Sequence, residues 1–86
     1  MQWPDSKPWN GGVKKSFEFE NGYGASLVCC PGSYGYEEGL WELAVIKDGD
    51  ICYDTPITDD VIGNLNDPEA DEILERIARL PPAVVH

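Results

Sequence analysis

Apolar and polar residues alternate through Lys15–Glu20, with Phe17 and Phe19 on one side and Ser16, Glu18 and Glu20 on the other. A period of two marks a strand with one buried face. Asn21-Gly22 follows, a dipeptide suited to a two-residue hairpin turn because both positions tolerate positive φ. The return strand, residues 24–30, puts Ala25, Leu27 and Cys29 on one face and Ser26, Val28 and Cys30 on the other. The longest apolar run is Leu40–Ile46. There Trp41, Leu43 and Val45 share one face, and Leu40, Glu42, Ala44 and Ile46 share the other. Both faces are apolar except at Glu42, which predicts an interior place in a sheet. Asp48-Gly49 supplies a second hairpin turn, and Ile51-Cys52-Tyr53 a short return strand.

The pattern then changes period. Thr58 can cap a short helix whose first turn holds Asp59 and Asp60, with Val61, Ile62 and Leu65 as its apolar contacts. Gly63 and Asn64 limit that helix to a turn or two. A longer helix follows Asn66, with Asp67 as N-cap and Pro68 as the first helical residue. Ala70, Ile73, Leu74, Ile77 and Leu80 recur at helical spacing, opposite Glu69, Asp71, Glu72, Glu75, Arg76 and Arg79. Glu72–Arg76 and Glu75–Arg79 are i,i+4 pairs in the favoured order, each worth about 0.3 kcal/mol. Pro81-Pro82 ends the helix. The predicted fold is α+β: a three- to four-stranded antiparallel β-meander with a short helix and a C-terminal amphipathic helix packed on one face. Residues 1–12, with two prolines and two glycines, form an irregular N-terminal arm; residues 13–80 form a single domain; residues 81–86 are a tail.

Length and charge sharpen the picture. A chain of 86 residues buries only about 60–65% of the surface its unfolded form exposes, so its core is small. Sixteen acidic residues stand against six Lys and Arg, a net charge of −10. Residues 1–16 carry Lys7, Lys14 and Lys15 against Asp5, a net of +2; residues 17–86 carry the remaining −12. Such a field repels nucleic acid and anionic membrane and steers the protein toward basic surfaces, although charge of this kind also serves plain solubility. The longest apolar run is too short and too punctuated to span a membrane. Met1-Gln2-Trp3-Pro4 lacks the apolar core of a secretory signal, so none is expected.

Chemistry is sparse. His86, the only histidine, is the last residue, which leaves no Ser/His/Asp or Cys/His pair on a firm element. Cys29, Cys30 and Cys52 offer no C-x-x-C spacing for zinc and no even count for a disulfide framework; they read as reduced thiols. Asp48-Gly49-Asp50 with Asp54 is similar to the start of a calcium loop, but Tyr53 occupies the sixth place where glycine is needed, and the hairpin accounts better for Asp-Gly. No metal, cofactor or catalytic residue is expected. The candidate features are instead surface ones. Asp59, Asp60, Asp71, Glu72 and Glu75 would supply charge to a negative surface able to occupy a basic groove; a solvated helix face is the plainer reading. Tyr34 and Tyr36, in the glycine-rich segment Pro31–Gly39, form either a binding loop or a connection whose rings lie on the sheet. Trp9, like Trp3, is either a partner anchor or part of an apolar lid.

Asn21-Gly22-Tyr23-Gly24-Ala25-Ser26, Gly39-Leu40-Trp41-Glu42-Leu43-Ala44-Val45 and Tyr53-Asp54-Thr55-Pro56-Ile57-Thr58-Asp59-Asp60-Val61 resemble segments of small uncharacterised proteins carried by tailed bacteriophages and prophages, over about residues 15–80. The resemblance implies a host bacterial cytoplasm and the company of small acidic α+β inhibitors, including anti-CRISPR and other anti-defence proteins. It carries over no binding residues. The expectation is a non-enzymatic phage-type protein that inhibits a host protein, defence-related or nucleic-acid-binding, by occupying its basic surface, with Trp9, Tyr34 and Tyr36 as anchors. It would contact neither nucleic acid nor membrane directly. The alternative is a structural or accessory protein that self-associates as a homodimer, because a strand apolar on both faces is covered by a single helix on only one.

Overall fold

The Leu40–Ile46 run forms the middle of one antiparallel sheet in a computed structural model that describes residues 1–52, 55–58 and 61–82. The strands are β1 (Lys7–Trp9), β2 (Gly12–Glu18), β3 (Tyr23–Cys29), β4 (Trp41–Lys47), β5 (Asp50–Ile51) and β6 (Ile62–Leu65), followed by the helix α1 (Asp67–Ala78). Strands β1 to β5 lie in sequence order, and β5 and β6 share the far edge of β4. The α+β class and the interior position of β4 agree with the sequence pattern. The sheet is larger than the predicted meander, with six strands rather than three or four.

Register explains the core. Phe17, Ala25 and Val45 stand in one row across β2, β3 and β4, and Lys15, Leu27 and Leu43 in the next. Ala70, Leu74 and Ile77 of α1 press on this face, and Leu27, Leu43, Val45, Leu74 and Ile77 are fully buried. Each such side chain contributes about 1.5–3 kcal/mol relative to exposure, which makes this helix–sheet contact the main source of stability in so short a chain.

Three local readings change. First, Val61–Leu65 does not begin a helix: Ile62–Leu65 is β6, paired with β4 through Trp41–Leu65 and Leu43–Ile62, with a bulge between. The β-branched Ile62 beside Gly63 and Asn64 makes a poor helix, and Asn64 adopts φ 58°. Pairing also satisfies β4 backbone groups beyond the reach of the two-residue β5, and it delivers Leu65 to the core. The carbonyl of Thr58, the expected cap, accepts from the Thr55 hydroxyl (3.3 Å) in a local turn; Asp59 and Asp60 lie outside the described residues. Second, the N-cap of α1 is Asn66, one residue before the expected Asp67. Its side chain accepts from Glu69 N–H (2.9 Å) while Glu69 accepts from Asn66 N–H (3.0 Å), a reciprocal capping box. Third, Lys7–Trp9, within the stretch expected to be irregular, is β1. Asn10 (φ 46°) and Gly11 (φ 83°) close a two-residue turn to Gly12. Pro8 faces Val13 in the pair next to the hydrogen-bonded closing pair, where its missing N–H removes no ladder bond.

Candidate interaction surfaces

The sheet divides the molecule's surface into two sides of different chemistry. On the helix side, α1 turns Asp67, Glu69, Asp71, Glu72 and Glu75 away from the core. Two of these carboxylates are held by tryptophans. The Trp3 indole N–H donates to Asp71 Oδ1 (2.8 Å), and the Trp41 indole N–H donates to Asp67 Oδ1 (2.8 Å). The two rings meet edge to face at 6.0 Å, and Trp3 meets Phe17 in the same way at 6.1 Å. An indole packed on a core with its edge toward water takes an acceptor for its N–H, and successive turns of a helix supply two for these half-buried rings. Trp3 is therefore part of the lid, one of the two roles open to it from sequence. Lys15 Nζ fixes the same arm by donating to the Pro4 carbonyl (2.6 Å). Glu75 lies 3.1 Å from Arg79 and 3.3 Å from the Met1 amino group, and Glu72 is exposed.

The opposite side is the sheet face that α1 does not touch. Register puts Lys7, Lys14, Val28 and Glu42 in one row across it, and Ser16, Ser26 and Ala44 in the next. Ile46 and Ile51 pair beyond these. Trp9 shares this face; it is 42% exposed, with Lys14 Nζ 4.0 Å above its ring. This cation–π contact is worth about 0.5–1 kcal/mol at an exposed site, and it leaves the other side of the indole open. Two shallow depressions, about 500 and 340 Å³, lie along the face and share Lys14, Ser26 and Ile46.

The loop between β3 and β4 is more ordered than its glycines suggest, with a 3-10 turn over Tyr36–Glu38. Tyr34 packs against Gly63 of β6, its carbonyl accepts from Asn64 N–H (3.4 Å), and its own N–H reaches Glu42 Oε1 (3.5 Å). Tyr34 is nevertheless 63% exposed and Tyr36 38%.

The candidate residues thus do not form one patch. Asp71, Glu72 and Glu75 share α1; Trp9 lies across the sheet from them; Tyr34 and Tyr36 stand on a loop beside Glu42; Asp59 and Asp60 are outside the described residues. Sequence reasoning missed Asn21, whose amide donates to the carbonyls of Ile77 (2.8 Å) and Leu80 (3.1 Å) at the end of α1. It also missed Asp67 as a tryptophan partner. No local signal announces either, because each contact joins residues far apart in the chain.

Asp48-Gly49 is a hairpin turn with both residues at positive φ, and among the described residues no group of three metal-ligating side chains converges. Cys29 is half-buried, and Cys30 and Cys52 are buried thiols. Among the described residues no helix is long and apolar enough to cross a membrane. No protein family matches the chain, and neither a curated protein nor a solved structure proves similar to it.

Proposed function

We propose that this protein is a non-enzymatic binding protein that lays its acidic helix on a basic surface of a host protein and inhibits that protein by occupancy. The observation that carries the reading is the row Asp67, Asp71, Glu75 on α1. These residues recur every four positions, so the helical rise sets their carboxylates about 6 Å apart. Glu72 lies beside the row. A capping box at one end and Asn21 at the other hold the helix, and tryptophans hold two of the carboxylates. Regularly spaced negative charge on a firm element suits a groove built for phosphates.

Single exposed charge pairs are worth only about 0.2–1 kcal/mol, so recognition must come from several acting together and from long-range steering. On this reading, which follows the resemblance of the sequence to phage-borne proteins, the partner is a nucleic-acid-binding or defence protein of a host bacterial cytoplasm. Affinity capture from bacterial lysate at low and high salt, with DNA as competitor, tests this reading. It expects a nucleic-acid-binding protein that is retained at low salt and displaced by DNA. Capture that is indifferent to both salt and DNA would contradict it.

A further inference from the structure

We propose that the sheet face opposite α1 is a homodimer interface, two copies packing face to face about a two-fold axis parallel to the strands. Among the described residues no helix or further strand covers this face, on which Trp9 and Ile51 are exposed, Val28 and Ile46 are half-buried, and Val61 lines one depression. Association through the sheet edges is disfavoured. β1 carries Lys7 and Pro8, β5 is two residues long, and β6 is bulged with a left-handed Asn64.

Charge selects the occupant and its orientation. The face is bipolar: Lys7 and Lys14 lie on the β1–β2 side and Glu42 on β4, within one row whose centre is Val28 on β3. An axis along β3 reverses strand order between the copies. Lys14 of one copy then stands over Glu42 of the other, Val28 meets Val28, and Ser26 meets Ser26. An axis across the strands would instead set β2 over β2, lysine against lysine. Aligned packing about 30° off parallel, the usual geometry of stacked sheets, preserves the central row. Glu18 lies in the Ile46 row at the end of β2 and so stands over Ile46 of the other copy, at the rim of the contact.

Size and global charge are compatible with this arrangement. Three strands of seven residues, flanked by the shorter β1, β5 and β6, at about 4.8 Å spacing and about 3.3 Å per residue make a face on the order of 500 Å². Two copies would bury about 1,000 Å², the low end for a specific interface, so the dimer is concentration-dependent rather than obligate. The mixture of polar and apolar residues is ordinary for such interfaces. The acidic helices point outward from the pair, which keeps the five carboxylates of each α1 away from the contact. The inference does not depend on what α1 binds.

Sedimentation of the full chain from micromolar to millimolar concentration tests it. Wild type is expected to shift from monomer to dimer. Lys14→Glu and Glu42→Lys should each weaken association about tenfold or more, and the double exchange should recover most of it, as expected for a close pair. Ser26→Arg, which brings two cations together on the axis, should abolish the dimer. A wild-type protein that stays monomeric throughout would overturn the proposal, as would a dimer indifferent to these substitutions or single-variant losses that the double exchange does not repair.

Discussion

At the scale of single residues, the polar side chains that matter most join distant parts of the chain. Asn21 sits in the β2–β3 turn, accepts from Tyr23 N–H through Oδ1 (3.1 Å), and turns its amide to the last carbonyls of α1. The Ile77 carbonyl also accepts from Leu80 N–H (3.1 Å) in the closing turn, and this end of the helix carries the negative pole of its dipole. Asn21→Ala should therefore lower stability by about 1–2 kcal/mol, read as a shift of the urea midpoint. Asn21→Asp should cost more than alanine, because it would set a carboxylate against the same carbonyls. An aspartate variant more stable than the alanine one would contradict this role. The two Asn-Gly dipeptides show how far a local signal reaches. Asn10-Gly11 has both residues at positive φ in a two-residue turn. At Asn21-Gly22 only Gly22 does, at 88°, and Phe19 N–H donates to the Tyr23 carbonyl across a three-residue loop. The same letters serve both geometries, and the strands on either side choose between them.

At the scale of elements, the strands and the long helix were legible because their periods are long and uninterrupted. Phe17, Leu27, Leu43 and Val45 take the faces that alternation assigns them, and Ala70, Leu74 and Ile77 form the buried stripe of α1. The failures lie where a segment is short and its state depends on a neighbour. The pairing of Ile62–Leu65 with β4 answers a need of β4, which the segment itself does not display. Pro8 argued against a strand, yet an edge position accommodates it. Gly63→Ala separates the two readings of β6 by sign. In a helix it would stabilise by about 0.5–1 kcal/mol. In the strand, the added Cβ overlaps the Cβ of Tyr34, and overpacking of this kind costs about 1–3 kcal/mol. Thermal unfolding of the variant should therefore show a lower midpoint; a higher one would contradict the β6 assignment and the seat of the Tyr34 loop upon it.

At the scale of the whole molecule, folding sorts the charge. The acids of α1 gather on one side of the sheet with Lys15, while Lys7 and Lys14 lie on the other with Glu18 and Glu42. The imbalance between residues 1–16 and the rest was visible in the sequence, but its division between two faces was not, because it depends on which face the helix covers. The same division separates Trp9 from the acids it was grouped with. It leaves the protein two chemically distinct surfaces: the acidic helix, proposed to meet a basic partner, and the bipolar sheet face, proposed to meet a second copy. The helix is the central claim, and Glu72 is the residue to change first: it is exposed, while Asp67 and Asp71 also secure tryptophans and Glu69 the cap. The decisive measurement is capture from bacterial lysate with Glu72→Lys combined with Glu75→Lys, the far-UV spectrum confirming the fold. Retention of the partner should fall at least about tenfold at low salt, since two reversals convert attraction to repulsion at two points of contact. Undiminished capture by a folded variant would show that the acidic helix is only a solvated face.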